Sequence, residues 1–417
     1  MGGKKAVSDI VKVIAGVVMT VVIVIVSASV IGDWLSQFPR VSGAIGDSSL
    51  VTCFGGGADH HVHCLEKTTA KEIFSIGSGT GWSEQNAETA PVLTDEAIYL
   101  SVGNRICAYS FDSINKWSSC IANSDTITGE IAVSKEGNLV CYKDSGKIKC
   151  LDKTTGEFQF RTKQKYTAVT DPIIDDKDSV WFIGEFIDEK NNWKELCIYP
   201  QRTTGDADRS SCKTISIYSG ISNAVLYNDM LCLLTGIDTA SGQEVKCFDK
   251  NANLVAGWKV ANLYSSLKTS ADGEWMYYSA NNVIYRTDLS KVYGTRAWNY
   301  DEIAKILPST KVTASGELVC FGENKYIDSQ STKLRGTIYC LNLTSGKYQI
   351  QVKTKEIWDD YKAESAPAIV SGKVYLTLGD HAFSYYVNGT SIWTGDGIDF
   401  DHQIPTDVTV LPEGGNE

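Results

Sequence analysis

The chain has 417 residues and a formal net charge of −11, which argues against nucleic acid as a partner and suits a solvated acidic surface. Its 43% apolar content excludes a chain disordered throughout, and 36 Gly, 20 Tyr and 10 Trp against 4 Met favour strands and turns over helices. The length admits two or three ordinary domains, or one all-β unit built from repeats.

Residues 13–31, VIAGVVMTVVIVIVSASVI, run for nineteen positions without a charge, about the length of a membrane-crossing helix. Lys4 and Lys5 precede the run, so the positive-inside rule sets the N-terminus in the cytoplasm and everything after Trp34 outside. A secretory signal has a shorter apolar core and small residues at a cleavage site, whereas this run continues through Gly32-Asp33-Trp34-Leu35. The order Lys4-Lys5-Ala6-Val7-Ser8-Asp9-Ile10-Val11 resembles the start of archaeal type IV pilins and related proteins with class III signals. That resemblance implies cleavage after Ala6, leaving Val7 as the new N-terminus. Residues 1–6 would be the leader. Residues 7–38 would form an apolar helix that waits in the membrane during biogenesis and then self-associates in a filament core. Lys12 interrupts the apolar stripe, and Val11 stands where bacterial pilins commonly carry glutamate. The alternative is a plain signal anchor that keeps Met1–Lys5.

From residue 40 onward one unit recurs, and it is clearest in Leu139 to Phe160, LVCYKDSGKIKCLDKTTGEFQF. Leu139–Lys143 reads as a strand, Ser145-Gly146 as a two-residue turn and Lys147–Asp152 as the returning strand. Thr154-Thr155-Gly156 then turns into Glu157–Phe160. Counting outward from the Ser-Gly turn sets Cys141 opposite Cys150. Corresponding third-strand segments begin at Cys64, Cys107, Cys150, Cys197, Cys247, Tyr285, Cys340 and Ser384, spaced 38–55 residues apart. Four short strands per unit at this period predict a β-propeller over 39–405, because such a unit cannot bury its own faces and must stack as a blade. The expectation is eight four-stranded blades behind one long N-terminal hydrophobic helix, or seven if the first or last unit is partial. Thr406–Leu411 reads as a closing strand, with a tail to 417.

These segments resemble the blades of the PQQ-like (quinoprotein alcohol dehydrogenase-like) propeller family, in which a third strand is followed by an Asp-x-x-Thr-Gly turn and a Trp. Leu151–Gly156 matches that turn, Leu341–Gly346 nearly matches it, and Trp258, Trp298 and Trp393 occupy the Trp position.

The twelve cysteines fall into consecutive pairs, and the repeat restricts how they combine. One member of each pair sits at the same third-strand position. Its partner lies upstream on the second strand in Cys53–Cys64, Cys141–Cys150, Cys232–Cys247 and Cys320–Cys340. It lies downstream on the fourth in Cys107–Cys120 and Cys197–Cys212. Six intrablade disulfides fit an oxidising exterior. The absence of C-x-x-C argues against a zinc finger.

Asp59-His60-His61-Val62-His63 stands at the tip of the first unit's hairpin. His61 and His63 would share a strand face, with His60 or Asp59 completing a transition-metal set, although a polar hairpin tip is the plainer reading. Asp396-Gly397-Ile398-Asp399-Phe400-Asp401 is a loose calcium-like run without the spacing or bidentate Glu of an EF-hand. Asp175, Asp176 and Asp178 read as an acidic turn. The PQQ-like resemblance would imply quinone and calcium chemistry. However, no two cysteines are adjacent to stack on a quinone, and neither G-x-S-x-G nor H-E-x-x-H occurs. No catalytic residue and no cofactor is therefore assigned. Asn342-Leu343-Thr344 and Asn388-Gly389-Thr390 are glycosylation sequons in turns after third strands. Tyr99, Trp181, Tyr277, Tyr285 and Tyr375 read as core between blades and not as a sugar-binding face.

The resulting expectation is a cell-surface filament subunit or surface protein whose propeller serves structure, adhesion or contact with a surface protein or glycan. A membrane-anchored scaffold or receptor that does not polymerise is the alternative, followed by a PQQ- or metal-dependent enzyme.

Overall fold

The computed structural model describes residues between 40 and 410, apart from 44–50, 56–60, 78–88, 261–269, 289–309, 354–361 and shorter loop segments. Ala6, Val7, the apolar run 13–31, Asp59, His60, Trp298 and Asp401 lie outside the described residues. Among the described residues no helix is long and apolar enough to cross a membrane.

Among the described residues the strands assemble into eight sheets of three to five strands, numbered here 1 to 8 in chain order. Sheet 3 shows how local sequence sets the pattern. Ser145 and Gly146 take positive φ (50° and 73°), which suits a tight turn between right-twisted strands. That turn fixes the register from Leu139↔Asp152 through Cys141↔Cys150 to Asp144↔Lys147. The third and fourth strands then slip by a bulge immediately after the cysteine, and the same slip recurs after Cys64, Cys247 and Cys340. Asp152 organises the next turn, accepting from the backbone N–H groups of Thr154 (2.9 Å) and Thr155 (2.8 Å) through Oδ1.

Alternation along a strand lets a sheet pack on both faces. In sheet 2, Ile98 and Leu100 pack towards Val51, Phe74 and Ile76 of sheet 1, while Tyr99 packs towards Val140 and Tyr142 of sheet 3. Similar shared cores join sheets 3 and 4, 4 and 5, 6 and 7, 7 and 8, and 8 and 1. First strands neighbour one another around the centre. Ser270–Asp272 lies beside Thr313–Ser315, which lies beside Ala368–Val370, which lies beside Thr409–Val410, which lies beside Val92–Leu93. The sheets are blades of a ring.

The first blade departs from a simple serial layout. Its innermost strand is Thr409–Val410, paired antiparallel with Val51–Gly55, while Arg40–Gly43 pairs with Glu72–Gly77 at the outer edge. A second addition is Gly205–Ala207, which runs parallel to Phe158–Thr162 on the outside of blade 3.

All six disulfides join neighbouring strands within one blade: Cys53–Cys64, Cys107–Cys120, Cys141–Cys150, Cys197–Cys212, Cys232–Cys247 and Cys320–Cys340. Their Cα separations of 4.0–4.4 Å belong to the closely spaced cross-strand positions. Neighbouring blades are also held by polar contacts. Trp117 of blade 2 donates its indole N–H to the Lys153 carbonyl in the turn of blade 3 at 3.1 Å, and Tyr99 donates its hydroxyl to the same oxygen at 3.1 Å. Trp393 of blade 8 donates to the Lys67 carbonyl of blade 1 at 2.9 Å. Trp258 lies on the outer strand Leu254–Val260, opposite Val245.

Gly156 has φ of 75°, and a Cβ there would stand 2.7 Å from Cδ2 of Trp117. Gly156→Ala is therefore expected to cost about 1–3 kcal/mol, read as a lower urea midpoint. Replacing Cys141 and Cys150 together with Ala is expected to cost about 2–3 kcal/mol in the same measurement, as a short closed loop predicts. An unchanged midpoint in either variant would contradict the corresponding packing or cross-link.

Candidate functional site at the junction of the first and last blades

In blade 8, Lys373–Leu378 and His381–Tyr386 are joined by a turn at Gly379-Asp380, with Gly379 at φ of 62°. The short fourth strand Ile398–Asp399 pairs so that His381 faces Asp399. The loop is fastened by its backbone: Phe400 N donates to the Asp380 carbonyl at 3.0 Å and Ile404 N to the Gly379 carbonyl at 2.8 Å. Asp380 and His381 are each 6% exposed, and the Asp380 carboxylate meets Nδ1 of His381. Asp399 is exposed. One potential ligand atom from each of Asp380, His381 and Asp399 lies within 4.8 Å of the others.

Across the junction, the Phe400 ring packs against His63 (centroids 4.8 Å apart) and edge-on against Phe54 (5.2 Å). His63 Nδ1 meets Glu72 Oε1 at 2.6 Å, and the His61 and His63 rings stand 5.9 Å apart. His61 and His63 therefore share a face, but His63 is buried between blades, held by Glu72 and Phe400. Tertiary packing makes this more than a polar hairpin tip. Of the carboxylate run at 396–401, Asp399 joins Asp380 and His381. Neither of those two stands in a recognisable motif, and strand pairing alone brings them to Asp399.

The aromatic residues Tyr99, Trp181, Tyr277 and Tyr375 are buried. Asp175 is a turn organiser: Oδ1 accepts from Lys177 N and Ser179 N at 2.9 and 2.7 Å, and Oδ2 accepts from the Trp181 indole at 2.8 Å. With Asp176, Glu130 and Asp229 it edges a concavity of about 830 Å³ beside the inner strands of blades 4 and 5. The two sequons line one smaller groove of about 450 Å³. Asn342 is engaged there. Its Oδ1 accepts from Thr344 N (3.1 Å) and Ser345 N (2.8 Å), and its Nδ2 donates to Glu317 at 3.3 Å. Asn388 is exposed, and its Oδ1 accepts from Thr390 N at 3.0 Å.

Away from the junction, burial pushes the Glu323 carboxyl of blade 7 up from the ordinary 4.5, against the lowering influence of the Tyr339 hydroxyl, which donates to it at 3.0 Å. Burial, reinforced by that carboxylate, pushes Tyr339 up to about 12. A carboxyl raised in the folded chain holds its proton more tightly than in the unfolded one, so its contribution to stability falls as pH rises above 4.5. Glu323→Gln keeps an acceptor for Tyr339 and removes the slope. Its stability relative to the parent is expected to increase from about pH 4 to about pH 7 in urea unfolding, and a decrease would contradict the assignment.

Neither a family model nor a curated protein matches the chain. Solved structures do. BamB from Moraxella catarrhalis aligns with TM-score 0.55 at 12% identity over 78% of this chain and 91% of that one. The dihydro-heme d1 dehydrogenase NirN, in complex with DHE, aligns with TM-score 0.58 at 12% identity over 89% and 76%. Citrobacter koseri AztD aligns with TM-score 0.54 at 10% identity over 86% and 97%. At such identities the likeness establishes the fold alone: this chain is a β-propeller.

Proposed function

We propose that the chain is an extracytoplasmic binding module, an eight-bladed propeller displayed at the cell surface by its N-terminal apolar segment. The observation that carries this reading is the set of six disulfides, one in each of blades 1–5 and 7, with no free cysteine among the described residues. Such density suits a chain that folds and persists in an oxidising compartment. Eight sheets whose first strands adjoin support the blade number. With every cysteine committed to a cross-strand bridge, none remains to act as a nucleophile or to stack on a quinone. The propeller is read as a contact surface and not as a catalyst.

The mode of display follows from sequence. Lys4-Lys5-Ala6 ahead of the uncharged run 13–31 supports a processed, pilin-like helix that enters a filament core. The interruption at Lys12 favours the second reading, a signal anchor that tethers the propeller without polymerising. On either reading the sequons face outward, and Asn388, the more exposed, is the preferred glycan acceptor.

Mass spectrometry of native material sheared from cells, with negative-stain imaging of the same fraction, separates the two. A chain beginning at Val7 and present in filaments supports the filament subunit. An intact N-terminus retained with the membrane supports the tether. Recovery of the chain with reduced cysteines from the cytosol would overturn both. In the same spectra, Asn388→Gln is expected to remove more glycan mass than Asn342→Gln, and the reverse order would contradict the preference for Asn388.

A further inference from the structure

We propose that Asp380, His381 and Asp399 bind a divalent transition-metal ion on the blade 8 side of the junction, with Zn²⁺ as the ion to probe it. Backbone geometry fixes the three donors independently. Asp380 sits in the Gly379-Asp380 turn, His381 opens the following strand, and Asp399 is set opposite it by strand pairing. Their candidate ligand atoms already lie within 4.8 Å of one another, so an ion needs only small side-chain adjustments to draw them in. Two of the three residues are more than nine-tenths buried, while the third is exposed. A donor set walled on one side and open on the other is the form of a site that keeps solvent or exchangeable ligands on its metal.

The donor chemistry narrows the ion. One imidazole and two carboxylates suit zinc and its first-row neighbours, whereas calcium and magnesium take shells of oxygen alone. Two carboxylates beside one imidazole form a donor set that a divalent cation complements in charge. The Asp380 carboxylate already meets Nδ1 of His381, so these two donors stand side by side, as neighbouring ligands of one ion must. His63 packs on Phe400 and meets Glu72, so it is assigned no ligand role. The plain alternative is that Asp380 and His381 form only a structural pair. Metal uptake distinguishes the two, because a structural pair takes up no ion, whereas the proposed site needs the Asp399 carboxylate as its third donor.

The test uses the full chain, stripped with a chelator and titrated with Zn²⁺ by calorimetry. Asp399→Asn is the main variant, since Asp399 is exposed and lies in a two-residue strand. Its metal-free melting temperature checks that the fold is retained. The expected result is one Zn²⁺ per chain, weakened about ten-fold or more by Asp399→Asn, with Ca²⁺ failing to compete at equal concentration. Zn²⁺ should also raise the melting temperature of the parent more than that of the variant. Co²⁺ bound to the parent should show visible d–d absorption that His381→Gln diminishes. Absence of Zn²⁺ binding overturns the proposal. So does equal binding by parent and Asp399→Asn, which would assign the uptake to other histidines.

Discussion

The ring depends on one short strand. Thr409–Val410 supplies the inner edge of blade 1, and the residues just before it reach the neighbouring blades. Asp407 accepts from the Ala366 N–H of blade 8 at 2.7 Å, Thr406 accepts from the Gly55 N–H of blade 1 at 2.6 Å, and the Thr409 hydroxyl donates to the Pro91 carbonyl beside blade 2. A propeller blade left without its neighbour exposes an apolar face, and a sheet left open exposes a row of unpaired backbone groups. One segment from the far end of the chain removes both liabilities at once. The sheet that it completes contains residues more than 350 positions away in sequence, as the Gly55–Thr406 contact shows. Such a closure is slow to find and hard to lose locally, because separating the ends of the chain breaks contacts to three blades.

Within that ring the disulfides and the indole contacts act in different directions. Each disulfide ties two strands of one blade, so it stiffens the unit without fixing its neighbour. Trp117 and Trp393 reach from one blade to a backbone carbonyl in the next, and so set the angle between units. The glycine of the Asp-x-x-Thr-Gly turn belongs to this second set. At Gly156 the positive φ closes the turn, and the missing side chain makes room for the Trp117 ring.

Much of this was legible because the repeat turns spacing into register. A two-residue turn at Ser145-Gly146 sets Cys141 across from Cys150, and the recurring third-strand position carries the pairing to the other second-strand cysteines, whose hairpin loops are longer. The bulge after each third-strand cysteine was not legible, since Leu65, Leu151, Phe248 and Leu341 are simply the next apolar residues in their strands. Nor was the outer-edge position of Arg40–Gly43, because a four-residue strand carries too little pattern to choose a neighbour. Trp117 was not assigned to the Trp position, because residues 112–116 before it lack the Thr-Gly signal. The site at the junction was half legible. His61, His63 and Asp399 stand in conspicuous local runs, whereas Asp380 and His381 are an isolated pair in a hairpin turn. Only the pairing of His381 with Asp399 reveals that they share a site.

Hydrogen exchange of individual backbone amides at the ring closure tests this account most directly. If Thr409–Val410 completes blade 1, its paired amides and those of Thr52 and Cys53 should be protected as strongly as the Cys141–Cys150 hairpin and should exchange only with global unfolding. Rapid exchange of the 409–410 amides, at the rate of a frayed terminus while the hairpin stays protected, would contradict a ring closed by the end of the chain.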